Sequence, residues 1–206
     1  MNISKLYSAC LAATLTVSVS AQAEEQNYEV MQDITVSATR VDKSLYDVPA
    51  AVGVVDGTDI TSGKQRLGLD ESLVRIPGMF MQNRYNFSQS LKISIRGFGA
   101  RANFGTRGIK LYQDGIPLTT VDGQGGIEDI DLNSINRIDV MRGPASSLYG
   151  SSSGGVVQFF TGQEQFAEPY VEANFSKGEH QANIGNIKTG GEMDKLRYFF
   201  TMSHLD

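Results

Sequence analysis

Residues 138–144 read IDVMRGP, and the chain continues through LYG at 148–150 to GGVV at 154–157. The first run predicts an apolar strand that ends where Gly143-Pro144 follows, because proline cannot donate to a strand ladder. The glycines of the later runs allow positive φ or a close approach of two backbones. We therefore expect two strands and one short helix in this region, at residues 137–141, 156–160 and 145–148.

Two further motifs lie upstream, SIRGFG at 94–99 and LYQDGIP at 111–117. An Asp-Gly pair between apolar runs is typical of a hairpin, so Asp114-Gly115 is expected to reverse the chain. Arg96 ends an apolar run beside a glycine, as Arg142 does. The remaining elements are predicted as strands at 51–55, 79–82, 91–96 and 110–113, as helix or helical turn at 69–75 and 131–135, and as a turn at Asp56-Gly57. Residues 50–162 thus predict a small mixed α+β unit.

The chain after residue 162 changes its pattern to three strand-length runs, 170–177, 181–188 and 196–204, separated by Gly-Glu or Gly-Gly turns. In the last run apolar and polar side chains occupy opposite faces, with Phe199 as the exception. The apolar set is Leu196, Tyr198, Phe200 and Met202, and the polar set is Arg197, Thr201 and Ser203. This alternation is typical of transmembrane barrel strands, although an ordinary antiparallel sheet produces the same pattern.

The N-terminus favours the barrel interpretation, because it predicts export. Lys5 precedes an apolar run at 9–19, and Ala21-Gln22-Ala23 follows as a small-residue cleavage site, so residues 1–23 are predicted to be a signal peptide. That run is shorter than the roughly 20 residues a membrane-spanning helix needs, so a membrane location would require a β-barrel.

Cys10 is the only cysteine, which excludes a disulfide scaffold or a thiol enzyme after cleavage. A formal net charge of −5 argues against nucleic-acid binding.

Between the predicted cleavage site and the α+β unit lies a polar leader, residues 24–49. Within it, residues 33–39 read DITVSAT, which is β-branched and alternating, with no partner strand predicted close behind it. An exposed segment of this kind on a flexible tether can add as an edge strand to the sheet of a partner protein. The alternative is that the run is simply the first strand of the α+β unit.

In order and spacing, the motifs at 94–99, 111–117 and 138–157 resemble the plug domain of TonB-dependent outer-membrane receptors, and 33–39 resembles their TonB box. The resemblance covers about residues 33–162. One departure is Gln158-Phe159-Phe160, where the family more often has an asparagine and aliphatic residues. The implied fold class is α+β, a small mixed-sheet plug domain followed by the first strands of an incomplete transmembrane β-barrel. The implied segments are a signal peptide (1–23), a flexible leader with a TonB box (24–49), a plug domain (50–162) and the first barrel strands (163–206).

The resemblance implies TonB-dependent, ligand-gated uptake of a ferric siderophore or a similar scarce chelate across the Gram-negative outer membrane. TonB with its inner-membrane energising complex and the membrane lipid are the implied partners. The implied TonB-coupling residues are Asp33, Ile34, Thr35, Val36, Ser37, Ala38 and Thr39. Arg96 and Arg142 are implied to latch the plug to glutamates of the inner barrel wall, and the alternative is two solvated charges. The stretches 94–108 and 120–125 resemble the branch around the pyrroloquinoline quinone receptor, which makes that cofactor an alternative cargo.

Two loops, 98–108 and 119–126, are the expected ligand-facing surfaces. Their arginines and amides suit an anionic or polyoxygenated ligand, and their phenylalanines suit its rings. The candidate residues are Phe98, Arg101, Asn103, Phe104, Arg107 and Gln124, with Arg84 and Tyr85 of the preceding loop as weaker candidates. Mobile polar loops without a ligand are the alternative.

Motifs of other protein classes fail on their structural context. Residues 97–102 match a dinucleotide-binding fingerprint, but Gly105 and Gly108 break the helix that must follow. Residues 129–133 resemble the start of a calcium loop, but Ser134 replaces its glycine and Val140 its glutamate. We therefore expect no catalytic residue, no metal site and no cofactor. A truncated, non-transporting remnant or a stand-alone periplasmic binding module remains the alternative to a transporter.

Overall fold

A five-stranded mixed sheet forms the centre of residues 51–161 in the computed structural model. The structure describes residues 35–36, 43–64, 66, 68–82, 86, 88–128, 130–162, 169–178, 183–193 and 196–205, which all belong to one compact unit, Asp33–Asp206. The predicted signal peptide, residues 24–34 and 37–39, and the side chains of Arg84, Tyr85 and His180 lie outside these described residues.

The elements follow one another as short strands with three short helices. In chain order they are β1 (Thr35–Val36), β2 (Lys43–Ser44), β3 (Ala51–Asp56), α1 (Gly57–Thr61), α2 (Asp70–Leu73), β4 (Met79–Gln82), β5 (Lys92–Ile95), β6 (Thr106–Arg107), β7 (Ile109–Gln113), β8 (Ile116–Pro117), β9 (Gln124–Gly125), β10 (Ile135–Arg142), α3 (Ser146–Tyr149), β11 (Gly155–Thr161), β12 (Tyr170–Lys177), β13 (Asn183–Met193) and β14 (Leu196–Leu205). A 3-10 turn, Leu45–Asp47, follows β2.

The central sheet has the strand order β3-β10-β11-β7-β8. β10 is antiparallel to both β3 and β11, and β11 is parallel to β7. Side chains alternate between the two faces, as the pleat of a strand requires. On one face Ile138, Val140 and Phe159 pack with helix residues such as Ile60 and Leu73 in the main core. The other face has a smaller core of Met141, Ala145, Tyr149 and Val156. Both cores lie within the predicted α+β unit.

The C-terminal strands form a separate antiparallel sheet in the order β12-β13-β14. The predicted alternation along β14 is confirmed. The pairing register aligns the side chains of β12 and β13 with the same two faces. One face exposes Val171, Phe175, Phe200 and Met202. The opposite face carries Lys188, Thr201 and Ser203 together with Asn186, which is buried, and one aromatic residue, Phe199. No helix within the described residues is long and apolar enough to cross a membrane.

Several local predictions were wrong. The structure continues β13 through Gly190-Gly191, which was predicted to be a turn. It places Ile135 at the start of β10, where a helical turn was predicted to end. It also starts a helix at Gly57, where Asp56-Gly57 was expected to be a turn. At Gly57 and at Gly190-Gly191 the glycines indicated a break, but capping by Asp56 and pairing with the neighbouring strands continue the regular structure there. At Ile135, pairing with Thr161 extends the strand into the predicted helical turn.

Asp56 makes helix α1 possible by capping its first turn. Its Oδ1 accepts hydrogen bonds from Thr58 N (2.9 Å), Thr58 Oγ1 (2.6 Å) and Asp59 N (3.1 Å). These bonds satisfy N–H groups that have no partner within the helix. The bond from the Thr58 hydroxyl is the largest cause that lowers the pKa of the Asp56 carboxyl, and the backbone bonds add to it against a smaller effect of burial.

We expect Asp56→Ala to lower the free energy of unfolding by about 1 kcal/mol at neutral pH, as other losses of an N-cap do. Because the pKa of Asp56 is lowered by folding, its carboxylate stabilises the fold above pH 3.8 and this contribution is lost as the pH falls through the lower folded value. Urea denaturation of wild type and variant at pH 7 and pH 3 measures both effects. Asp56→Asn, which keeps a cap, is the matched control. An equal loss at both pH values would contradict the electrostatic part.

Candidate functional site

The two loops predicted to face a ligand are joined to each other in the structure. β6 of the first loop pairs with β9 of the second, with Thr106 opposite Gly125 and Arg107 opposite Gln124. A further bridge links Thr119 to Gly125, so the second loop folds back on itself. The backbone of Thr120 donates to Gln124 O at 2.7 Å and closes this fold. We call the residues 99–107 and 119–126 the paired loops.

The paired loops expose the side-chain types that sequence reasoning selected. Phe104 is 76% exposed, and Arg101, Asn103 and Arg107 are exposed as well. Gln124 is half-buried because its backbone lies in β9. The paired loops therefore offer aromatic and cationic groups together on one connected surface.

Asp122 is a member of this surface that sequence reasoning missed. Its carboxylate accepts hydrogen bonds from the Thr120 hydroxyl and from Gln124 N, the latter at 3.3 Å, and lies 3.9 Å from Arg107 Nη2. The pKa of Asp122 is lowered, chiefly by the Thr120 hydroxyl and then by the Gln124 N–H. Asp122 thus fixes the tip of the second loop and offsets part of the charge of Arg107.

Phe98 is placed apart from the paired loops. It follows the turn at Arg96-Gly97 and is 49% exposed. A Cβ built on Gly154 would lie 2.6 Å from Phe98 Cβ, so Phe98 packs beside the connection between β10 and β11. The structure therefore brings five of the six ligand candidates into one surface and assigns Phe98 to the neighbourhood of Arg96.

Arg96 lies in a tight turn, where a strand end was predicted. The backbones of Ile95 and Phe98 exchange two hydrogen bonds of 3.0 Å across it. Arg96 has φ +51° and Gly97 has φ +88°, and positive φ at both central residues is typical of a type I′ hairpin turn. Asp114 and Gly115, with φ +47° and +80°, form a second such turn between β7 and β8, as predicted.

Arg142 meets the same short segment as Arg96. Its Nη1 donates to Pro77 O at 2.9 Å, and the backbone N–H of Arg96 donates to Gly78 O at 2.8 Å. Arg142 Nε is buried without a hydrogen-bond partner among the described residues. A buried donor of this kind is unusual in a folded protein, because it loses its bond to water. The two arginines thus donate to the adjacent residues Pro77 and Gly78, and Arg142 has a donor available for a further acceptor.

The candidate coupling segment is paired within this chain, contrary to the expectation that it lacks a nearby partner. Thr35 lies opposite Ser44 and Val36 opposite Lys43 in a two-residue antiparallel ladder. Val36 is 0% exposed, so this residue is covered instead of projecting into solvent. Neither strand joins the five-stranded sheet. Residues 35–36 of the segment are therefore held by a short contact that is separate from the main core.

Histidines and carboxylates do not gather into a metal centre within the described part of the chain, where no group of three or more His, Cys, Asp or Glu side chains has ligand geometry. His204 lies on β14 of the C-terminal sheet.

Comparisons with known proteins show which family model and which proteins this chain resembles. The family model "TonB-dependent Receptor Plug Domain" matches residues 44–157. The vitamin B12 transporter BtuB of Vibrio vulnificus is 26% identical over 186 residues, which cover 84% of this chain and 30% of that protein. The hemin receptor of Yersinia enterocolitica is 26% identical over 194 residues, which cover 85% of this chain and 26% of that protein.

Solved structures show the same fold. The pyoverdine outer membrane receptor FpvA from Pseudomonas aeruginosa has a TM-score of 0.64 at 18% identity, covering 84% of this chain and 24% of that one. The ferric yersiniabactin uptake receptor FyuA from Yersinia pestis has a TM-score of 0.55 at 19% identity, covering 76% of this chain and 24% of that one. The chain thus spans less than a third of the length of each of these relatives.

Proposed function

Because this chain belongs to the family of TonB-dependent receptor plug domains, we propose that it is the gating and coupling part of an outer-membrane transporter that takes up a ferric siderophore or a similar scarce chelate. The named relatives are transporters and receptors, not enzymes. The observation that carries the proposal is the paired loops, which offer exposed aromatic and cationic groups on the same plug that holds a separately paired coupling segment.

The ligand class follows from the side chains of the paired loops. A guanidinium attracts an anionic or oxygen-rich ligand, and an exposed phenylalanine ring packs on its flat apolar parts. Phe104, Arg101 and Asn103 are exposed and supply these groups, with Arg107 contributing a charge that Asp122 partly offsets. Ferric chelates with carboxylate or catecholate arms fit this chemistry.

Pyrroloquinoline quinone is a second candidate cargo. The specific observation in its favour is the combination of a ring-packing phenylalanine with two arginines on the paired loops, because this cofactor is a fused aromatic system with carboxylates. The sequence of residues 94–108 and 120–125 supports it through the resemblance described above.

Energy coupling rests on the segment 33–39. The two-residue ladder between β1 and β2 contains few hydrogen bonds, each contributing about 0.5–1.5 kcal/mol net. Such a contact can be exchanged for pairing with the sheet of TonB, the periplasmic partner, without disturbing the main core. We propose that ligand binding favours this exchange, and that TonB then pulls the plug along the strand.

The plug–barrel latch remains a proposal for Arg96 and Arg142. It is supported by the buried Nε of Arg142, which lacks an acceptor among the described residues, and by the convergence of both arginines on Pro77-Gly78. A carboxylate from the barrel wall would supply that acceptor. A structure of the complete receptor that leaves both guanidinium groups in water would refute the latch.

We expect Phe104→Ala and Arg101→Gln, each made in the complete receptor, to weaken ligand binding roughly tenfold, the typical loss for an aromatic or arginine anchor. The probes are vitamin B12, hemin, ferripyoverdine, ferric yersiniabactin and pyrroloquinoline quinone, each titrated into purified receptor by calorimetry. Phe80→Ala and Arg75→Gln are matched controls, because both residues are exposed but lie on β4 and beside Asp59, away from the paired loops. Equal losses in the controls would show that the paired loops are not the binding surface.

A further inference from the structure

A polar contact connects the plug to the C-terminal sheet across about 70 residues of sequence. Ser203 on β14 donates through its hydroxyl to Asp131 Oδ2 at 2.9 Å, and the same hydroxyl accepts from Asn133 Nδ2 at 3.2 Å. Asp131 and Asn133 lie in the turn immediately before β10, which we call the 131–134 turn. None of these residues belongs to the paired loops or to the arginine pair.

Asn186 on β13 completes the contact from the neighbouring strand. It lies opposite Ser203 in the register, is 2% exposed, and donates through Nδ2 to Ser203 Oγ at 2.9 Å. A hydroxyl can donate one hydrogen bond and accept two. Ser203 therefore uses its entire hydrogen-bonding capacity between the turn and the strand pair, which makes it the central residue of the contact.

The 131–134 turn is held in shape before it meets the strands. Asp131 Oδ1 accepts from the Asn133 backbone at 3.0 Å, and Asp131 O accepts from Ser134 N at 2.9 Å and Ser134 Oγ at 2.7 Å. From the other side, Arg66 Nη1 donates to Asn133 Oδ1 at 3.1 Å. These bonds fix both ends of the Asn133 amide, with its oxygen toward the plug and its nitrogen toward β14.

Charges around the contact balance each other. Lys188 shares the plug-facing side of β13 with Asn186, and its charged neighbours are Glu172, Arg66 and Asp131. Two cations, Lys188 and Arg66, and two carboxylates, Glu172 and the Asp131 of the contact itself, thus balance in number. An environment without excess charge suits a contact between two parts of one protein better than the capture of a charged ligand.

We propose that the 131–134 turn is a docking surface for the β13–β14 pair, with Ser203 as its central residue, and that it orders the first barrel strands on the plug without the rest of the barrel. This fastening is separate from the arginine pair, whose proposed partners are carboxylates of the barrel wall. It depends on main-chain shape and on hydrogen bonds of which one, from the Ser203 hydroxyl to the Asp131 carboxylate, involves a charged group but none joins two opposite charges. It is therefore expected to lose less strength at high salt than an ionic latch, which weakens as salt screens both of its charges.

Cysteine cross-linking tests the placement. In the full 206-residue chain in detergent micelles, with Cys10→Ser as background, the pair Asn133→Cys and Ser203→Cys is expected to form a disulfide under mild oxidation. The control pair, Asn133→Cys with Met202→Cys, is expected not to, because Met202 is the adjacent residue on the opposite, exposed face of β14. Equal cross-linking of both pairs, or cross-linking of neither, would overturn the docking.

Hydrogen exchange tests the role of the hydroxyl. Ser203→Ala is expected to speed amide exchange in the 131–134 turn and in β13 roughly tenfold, because it removes the hydroxyl that joins Asn133, Asn186 and Asp131. The Asn133 amide then keeps only its bond to Asp131 Oδ1 at 3.2 Å, and the Asn186 amide keeps only its bonds to Thr201 Oγ1 and Met202 O, both at 3.3 Å. Ser203→Thr, which retains a hydroxyl, is expected to restore slow exchange. Ser176→Ala, an exposed serine on β12, is the matched control and is expected to change nothing. Unchanged exchange in Ser203→Ala, at low and at 1 M salt, would overturn the proposal.

Discussion

Gly155→Ala is expected to prevent stable folding of the plug. Gly155 has φ +141°, and a Cβ at this position would lie 2.2 Å from Met141 O and 3.4 Å from Arg142 Cα. The obstructing atoms are backbone atoms of β10, the strand that Gly155 pairs with, so no side chain can move aside. We expect a loss of more than about 3 kcal/mol, a large part of the roughly 5–15 kcal/mol that stabilises an ordinary domain.

Gly150→Ala is the matched control for this prediction. Gly150 also has a positive φ, +72°, but an added Cβ would have no atom within 4 Å. Its cost is therefore limited to the backbone conformation, about 1–2 kcal/mol. Urea denaturation of both variants, followed by circular dichroism, separates the clash from the conformational cost. Similar midpoints for the two variants would show that the close approach of β10 and β11 does not govern stability.

Val36→Pro is expected to abolish energy-dependent uptake while the plug still folds. Proline has no backbone N–H and therefore cannot donate to a partner strand, which is the bond that strand addition to TonB requires. The plug is expected to survive because β1 pairs only with β2, outside the five-stranded sheet. Uptake by cells that carry the complete gene, for whichever of the five probes the wild type accumulates, should fall to the level of a strain without TonB.

Val36→Ala is the control that distinguishes the effect of losing the backbone N–H from the effect of losing part of the buried side chain. It removes part of the covered Val36 side chain but keeps the backbone donor, so uptake is expected to persist. Copurification with TonB provides the second measurement and should be lost only in the proline variant. If Val36→Pro also lowers the urea midpoint of the plug as strongly as Gly155→Ala, the segment is a structural strand and the coupling proposal is wrong.

Much of the fold follows from local sequence patterns. Strand β4 and strand β12 have the predicted bounds, and the alternation of β14 indicates the correct outer and inner faces. The Asp114-Gly115 turn was predicted because an aspartate and a glycine both tolerate positive φ. Arg96-Gly97 adopts the same turn but was not recognised, since arginine carries no such preference and the turn is imposed by the pairing of Ile95 with Phe98.

Contacts between distant segments account for the remaining misses. The run 33–39 was recognised as β-prone, but residues 43–44 are too short to be recognised as a strand. The pairing of residues 35–36 with residues 43–44 is therefore visible only in three dimensions. The residues of the site were partly foreseeable: the loops that contain Phe104 and Gln124 were selected, whereas their direct pairing through β6 and β9 was not. In the sequence, Asp122, Asn133 and Ser203 look like any polar residue of a turn or strand. Their roles depend on contacts that the sequence does not reveal, the longest of which spans 72 residues.

The order of strands in the central sheet has a consequence for biosynthesis. β10 and β11, the last two strands of the plug to be synthesised, occupy inner positions, whereas the earlier strands β3, β7 and β8 lie outside them. β3 can pair only after β10 has emerged, and the parallel partner of β7 is β11, more than 40 residues later. Non-local pairing of this kind slows folding and leaves unpaired edges exposed meanwhile. If the chain is exported from its N-terminus, as the predicted signal peptide implies, we expect the central sheet to stay incomplete until about residue 161 has crossed the membrane.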